Sequence, residues 1–180
     1  MIFDHKLQLV DLDEYPIIDL TIDGADEVDE NLVAIKGGGA CLAQEKIIAN
    51  AAKRFVIVAD YRKDSKKLGQ NWTKGIPFEV MPMACESVRH HLSTKLGTDI
   101  EKLVIRTGRE KVGPVITDNG NFVIDWAFDP QHTRSESDWK SLSDQVKLIP
   151  GVVETGIFAG MIDAAYFGYS TEGVKIRKYK

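Results

Sequence analysis

Apolar and polar positions along this chain switch between two periods, and the switches mark its elements. "YPIIDLTID" (15–23) is a short, mostly apolar run with β-branched residues, bounded by Pro16 and Gly24, and predicts a buried strand. "NLVAIK" (31–36) predicts a second strand, which ends at Gly37-Gly38-Gly39. The stretch "KGGGACLAQEKIIANAAK" (36–53) then takes up a helical period, in which successive side chains rotate by about 100°. That rotation puts Leu42, Glu45, Ile48, Ala49 and Ala52 on one face, with Lys46, Asn50 and Lys53 on the wet side. "RFVIVAD" (54–60) returns to a continuous apolar run, a third strand. Strand, helix and strand with wholly apolar strands predict a parallel sheet covered by helices.

The polar, turn-rich "GQNWTKGIP" (69–77) marks a domain boundary. Beyond it the pattern predicts a strand at 76–81, a helix at 84–96, and strands at 102–107, 113–118 and 121–126. Asn119-Gly120 joins the last two as a hairpin turn. "SESDWKSLSDQVKLI" (135–149) opens with serine and acidic residues and spaces Trp139, Leu142 and Val146 as a helix face. "GVVETGIF" (151–158) closes the set as a strand, giving an order close to a ferredoxin-like split βαβ. "AAYFGY" and "GVKIRKY" form a terminal hairpin that rejoins the first domain. The expected organisation is residues 1–74 completed by 160–180, with 75–159 as a second domain.

Composition narrows the classes. The 180 residues are 43% hydrophobic and 28% charged, as in a globular protein. A net charge of −4 argues against a broad nucleic-acid footprint but permits a small phosphate ester held by local cations. Cys41 and Cys85 form no CxxC pair, so no disulfide framework or thiolate metal site is expected. No apolar run reaches the roughly 18 residues of a membrane span. "MIFDHKLQLV" lacks the marks of a signal peptide, and a cytoplasmic setting is the expectation.

The candidate chemistry gathers where the first three strands end. Asp23 leads into "DGADE" with Asp26 and Glu27, Lys36 leads into the glycines, and the third strand runs into "DYRK" with Lys63. Ligands in open α/β sheets bind outside the carboxyl ends of the strands. Glycines before a helix N-terminus let an anion approach backbone N–H groups. Glu45 falls inside the apolar face of that helix, where burial raises a carboxylate's pKa and a nearby lysine lowers it. A carboxylate so poised, beside a lysine that steadies an oxyanion, suits enolisation next to a carbonyl. Paired aspartates suit sugar hydroxyls.

Plainer readings compete. Glu45 is equally a helix-face carboxylate reaching Lys36, and "DGADEVDE" a solvated acidic turn without the spacing of an EF-hand loop. "KGGGA" is neither a dinucleotide fingerprint nor a P-loop. His90 and His91 face different ways on their helix, His5 and His132 are isolated, and Cys41 reads as a packing residue.

Taken together, "DGADE", "KGGGA" with "QEKII", "VIVADYRKDSKKLG", "GIPFEVMPMA", "GPVITDNGNFVIDW" and "IPGVVETGIF" resemble type A ribose-5-phosphate isomerases, the animal-type members above all. The resemblance implies a Rossmann-like domain with a ferredoxin-like lid, and interconversion of ribose 5-phosphate and ribulose 5-phosphate in the non-oxidative pentose phosphate pathway. It implies no metal or organic cofactor, a homodimer or homotetramer, and a cis-enediolate mechanism. Glu45 falls on the family's general base. Asp23, Gly24, Ala25 and Asp26 fall on its sugar-binding and ring-opening loop. Lys36, Gly37, Gly38 and Gly39 fall on the segment that stabilises the enediolate, and Lys63 on a further substrate-binding lysine. The family's G-[ST]-G-S-[TS] phosphate loop does not occur in this sequence, where the match begins at about Ile2. The expectation is an N-terminally shortened Rossmann-like domain with reduced activity, or a silent chain that associates with full-length isomerase subunits.

Overall fold

The computed structural model describes residues 4–108, 110, 112–131 and 134–179; Ile2 and His132 lie outside them. It is an α/β fold with one mixed sheet and two antiparallel ones. In the first sheet β1 (Thr21–Asp23), β4 (Phe55–Asp60), β10 (Ala164–Tyr169) and β11 (Gly173–Lys178) lie in the order β1-β4-β10-β11. β4 runs parallel to β1 and to β10, and β11 pairs antiparallel to β10. The terminal hairpin thus shares a sheet with the first strand. A small antiparallel sheet holds β2 (Glu27–Val28), β3 (Ala34–Ile35) and β9 (Ile157–Phe158).

The third sheet is antiparallel, with β5 (Ile76–Val80), β6 (Leu103–Ile105), β7 (Phe122–Trp126) and β8 (Val152–Thr155) in the order β6-β7-β5-β8. With α2 (Cys85–Leu96) and α3 (Glu136–Lys147) it makes the ferredoxin-like βαββαβ unit. Helix α3 starts where its sequence signals it should, since Ser135 and Asp138 form a reciprocal capping box. Val88, Leu92, Trp139 and Val146 pack onto Phe78, Val80, Ile124 and Trp126 in one core, while Phe55, Ile57, Phe158 and Phe167 centre a second.

Several expectations need correction. The 15–23 run is a strand only from Thr21: the Ile18 N–H donates to the Ala51 carbonyl and the Lys53 N–H to that of Ile18, so the segment follows the end of helix α1 (Leu42–Ala51) first. β1 is an edge of its sheet, and Ile17, Leu20 and Ile22 are exposed rather than buried. β3 does not join the parallel sheet; the helix that follows it connects two different sheets. Residues 113–118 form no strand beyond a Thr107–Pro114 bridge, because Pro114 has no N–H and Thr117 already closes the turn to Gly120.

The 151–158 run divides at Gly156 into β8 and β9, which belong to different sheets. A Cβ on Gly156 would lie 2.5 Å from the Lys36 carbonyl oxygen and 2.6 Å from Pro77 Cγ, so only glycine lets the chain cross there.

Helix α1 (Leu42–Ala51) buries Leu42, Ala43 and Ala49, one step round from the predicted stripe, and leaves Ile48 at the surface. Lys46, expected on the wet side, is the buried polar residue, with 11% of its side chain exposed against 26% for Glu45. Four oxygen acceptors at the β8–β9 junction replace water around its ammonium.

Candidate active site

Asp23 stands at the carboxyl end of β1, and its Oδ1 accepts the Gly24 N–H at 2.7 Å. The chain then turns through Ala25, and the Asp26 N–H pairs with the Ile35 carbonyl at 2.9 Å. This pairing brings the turn alongside Lys36, the residue that follows β3. The Lys36 N–H donates to the Gly156 carbonyl at 3.0 Å, so its backbone is fixed by the junction between β8 and β9.

The Lys36 side chain is 2% exposed. Its ammonium lies 2.9 Å from Asp23 Oδ2 and 3.3 Å from Glu45 Oε1, donates to the Gly24 carbonyl, and stands 5.5 Å from the Phe158 ring centre. A buried ammonium survives only with such partners. Glu45, in the first turn of α1, gives Lys36 one oxygen; its Oε2 has no hydrogen-bond partner among the described residues. Burial pushes the Glu45 carboxyl up from the usual range; Lys36 pulls it part of the way back, and Asp23 and Asp26 push it up again.

The glycine turn forms the next wall. Gly37 adopts a φ of +99°, and the Ala40 N–H closes the turn on the Gly37 carbonyl at 2.9 Å. Asp26 Oδ2 accepts the Gly38 N–H at 2.7 Å, which ties the acidic turn to the glycines. Gly39 leads to Cys41, the residue that caps α1 without a side-chain hydrogen bond to the backbone. Burial and the surrounding carboxylates raise the Cys41 thiol pKa.

The fold thus brings Asp23, Gly24, Lys36 and Glu45 into direct contact and sets Asp26 and Gly38 beside them. Lys63 stands apart: its ammonium lies 5.3 Å from the Trp72 ring centre, and Trp72 packs its ring edge against Gly38. Glu27, its neighbour in "DGADE", serves the structure, since it is fully buried and accepts from Ser65, Gly69 and Asn71.

One residue of the site escaped the sequence. Arg106, just past β6, donates through Nη1 to the Gly37 and Gly38 carbonyls at 3.0 and 3.1 Å, while Asp125 holds its Nε and Nη2 in a fork. It borders a cavity of about 540 Å³ that runs along Gly38, Trp72 and Lys74. No spacing rule couples an arginine to a turn nearly seventy residues earlier, and in the β6–β7 register Asp125 lies opposite Val104, so its pairing with Arg106 is diagonal. A second cross-link joins Gln44 of α1 to Asn119 at 3.0 Å, with Asn119 held in turn by the buried Glu79.

Chemically, the cluster offers a carboxylate oxygen with a raised pKa, an ammonium beside it, and two further carboxylates as hydroxyl acceptors. Such a set is suited to moving a proton at carbon and to steadying the oxyanion that results. Among the described residues no group of three or more His, Cys, Asp or Glu is arranged to hold a metal ion.

Comparison with known proteins adds to this geometry. The family described as Ribose 5-phosphate isomerase A (phosphoriboisomerase A) matches residues 1–172. The chain is 51% identical over 178 residues to a ribose-5-phosphate isomerase of Homo sapiens, covering 99% of this chain and 55% of the human one. A relative from Candida albicans is 47% identical over 176 residues, covering 98% of this chain and 72% of its own. The chain therefore spans little more than half the length of the human relative. Among solved structures, ribose 5-phosphate isomerase A from Methanocaldococcus jannaschii superposes with a TM-score of 0.85 at 43% identity, covering 98% of this chain and 72% of the other. A D-ribose-5-phosphate isomerase in complex with phospho-erythronic acid superposes with a TM-score of 0.85 at 40% identity, with the same coverage.

Proposed function

This chain belongs to the ribose 5-phosphate isomerase A family, and we propose that it is an aldose–ketose isomerase that interconverts D-ribose 5-phosphate and D-ribulose 5-phosphate. The observation that carries the proposal is the Glu45–Lys36–Asp23 cluster with one Glu45 oxygen left free. The free oxygen of Glu45 removes the C2 proton of the open-chain aldose. The C–H electron pair becomes the C1=C2 bond, and the carbonyl pair moves onto O1, where the Lys36 ammonium faces it. Glu45 then returns the proton to C1, and the O2 hydroxyl proton passes to O1, leaving the C2 ketone. Asp23 and Asp26 accept from the sugar hydroxyls and assist ring opening. Gly24, Ala25 and Gly37 to Gly39 let the substrate lie against the backbone, and Lys63 supplies a cation at the outer edge.

Phospho-erythronic acid, which one structural neighbour holds, is a phosphorylated polyhydroxy acid whose carboxylate is planar and anionic, as an enediolate is. It supports an enediolate route here. The place of the reaction is the non-oxidative pentose phosphate pathway, in a homo-oligomer in the cytoplasm. The test is conversion of ribose 5-phosphate by the purified chain, with Glu45→Gln expected to lower kcat about 1,000-fold or more. Wild-type turnover that survives in Glu45→Gln would sink the assignment.

A second reading is favoured by the exposed apolar edge at β1. Ile22 on β1 and Ile17 and Leu20 in the segment that leads into it face solvent, and Leu7, Leu9 and Val10 earlier in the chain are exposed as well. We propose as the alternative that this edge docks onto longer isomerase subunits and that the chain itself is silent. Co-elution with a full-length isomerase together with no turnover alone would select it; an active monomer would exclude it.

A further inference from the structure

The junction Thr155–Ile157, where the chain leaves one sheet for another, touches both halves of the candidate site. Its Gly156 carbonyl takes the Lys36 N–H at 3.0 Å, and its Gly156 N–H donates to the Pro77 carbonyl at 2.7 Å. On either side of Gly156, the Thr155 and Ile157 carbonyls take the Lys46 ammonium at 2.5 and 2.8 Å. Lys46 follows Glu45 directly. The two residues whose separation decides the chemistry are thus referred to one three-residue segment, Lys36 through its backbone and Glu45 through its neighbour.

We infer that Lys46 is a positioning residue, whose buried ammonium fastens α1 to the Thr155–Ile157 junction and so sets the distance from Glu45 to Lys36. The anchor is saturated. Glu154 Oε1 lies at 2.9 Å, Thr155 Oγ1 at 3.2 Å, and the Phe158 ring centre at 4.5 Å. Phe158 also lies under Lys36, at 5.5 Å, so one ring backs both ammonium groups. The other polar tie that leaves the first two turns of α1 away from the Lys36 pocket, Gln44 to Asn119 at 3.0 Å, is an exposed pair of neutral amides, while Leu42, Ala43 and Ala49 give apolar burial, which fixes a helix face but not its shift along the axis. Desolvation lowers the Lys46 pKa to about 8, while Glu154 opposes that shift, so the anchor is mostly charged at neutral pH and loses its charge as pH rises through about 8. Lys147, Asp144 and Lys140 are the other charges that line the cavity of about 460 Å³ beside it.

The inference rests on the isomerase reading for its kinetic consequence but not for its structural one, and the test separates them. The Glu45 carboxyl carbon is titrated by NMR in wild type, Lys46→Met, Lys147→Met and Lys36→Met, with folding checked by circular dichroism. The groups facing Glu45 are Lys36 just after β3, Asp23 on β1, Asp26 in the acidic turn and Cys41 at the cap. Lys46→Met moves Glu45 away from Lys36 and raises its midpoint by about half a unit or more, toward the Lys36→Met value. Lys147→Met removes a second cation from Glu154 without touching α1 and leaves the midpoint at the wild-type value. In the same variants kcat falls about tenfold or more for Lys46→Met while KM stays within about threefold, and Lys46→Arg restores most of the loss. An unmoved or lowered Glu45 midpoint in folded Lys46→Met, or an equal shift in Lys147→Met, overturns the inference. If Lys46→Met does not fold, Lys46→Gln is read by the same criteria. Absence of turnover in the wild type would count against the isomerase reading alone, since the titration still decides the anchor.

Discussion

Lys36 and Glu45 meet with Nζ and Oε1 3.3 Å apart, although one follows β3 and the other lies in the first turn of α1. Between them the glycine turn reverses the chain, so a lysine and a carboxylate nine residues apart share one pocket.

On the isomerase reading, that pairing is expected to set the acid limb of the pH–rate profile. Burial raises the Glu45 pKa and Lys36 restrains the rise. Glu45 accepts a proton only when ionised, so kcat/KM falls as pH drops through a midpoint above the ordinary glutamate value. Lys36→Met moves that midpoint further up. A raised folded-state pKa also means stability present below the unfolded value and lost as pH rises through the folded one. Glu45→Gln is therefore expected to be at least as stable as wild type at pH 8 in urea titrations, though inactive; clear destabilisation there would contradict it.

Asp29 makes a sharper case. It is buried in the turn after β2, accepts the Asn31 and Val33 N–H groups at 2.9 Å through one oxygen, and is pushed up by burial to about 6. Its contribution to stability is present below about pH 4 and lost as pH rises through about 6. Asp29→Asn keeps an acceptor for both N–H groups and is expected to gain roughly 1–2 kcal/mol above pH 7, with the gap closing near pH 4. Paired urea titrations at the two pH values measure it.

Much of this was legible in the chain. Apolar runs located β4, β5 and β7, serine capping placed α3, Asp23 and Lys36 stood at strand ends, and Glu45 stood out as a carboxylate within the apolar face of a helix. What escaped notice depended on partners distant in sequence. The face of α1 was misjudged because Lys46 counts as solvent-facing until four acceptors from 154–157 are brought to it. Residues 151–158 read as one strand because the steric demand at Gly156 comes from Lys36 and Pro77, not from its neighbours. Exposure of Ile17, Leu20 and Ile22 was hidden for the converse reason: an edge strand and a central one have the same apolar pattern.

Arg106 tests how firmly the glycine turn is held. Its guanidinium is 17% exposed, forks onto Asp125 at 2.6 and 2.8 Å, and still serves two carbonyls. A lysine has no planar fork to divide between them. Arg106→Lys is expected to cost about 1–2 kcal/mol, and Arg106→Ala about 2–4, because Asp125 is left without its counter-charge. A double-mutant cycle with Asp125→Ala should return a coupling of roughly 1–3 kcal/mol. Additive single effects would show that the fork does not organise the turn.

The turn itself carries opposite demands at its two ends. Gly37 has a φ of +99°, and a Cβ there would lie 2.8 Å from Leu42 Cβ and 2.9 Å from Pro77 Cγ. Ala40 has a φ of +64° and bears the left-handed conformation with a side chain. That strain is about 1–2 kcal/mol for an L-residue, against an unfolded-state entropy penalty of about 0.5–1 kcal/mol for introducing glycine. Ala40→Gly is therefore expected to stabilise the fold by roughly 0.5–1 kcal/mol, while Gly37→Ala destabilises it by about 2 kcal/mol or more through both strain and overlap. Gly37→Ala also pushes the Lys36–Gly38 backbone away from Arg106, so its loss of kcat/KM should exceed its loss of folded fraction. If Ala40→Gly proves as harmful as Gly37→Ala, the left-handed strain at position 40 is not what limits the turn.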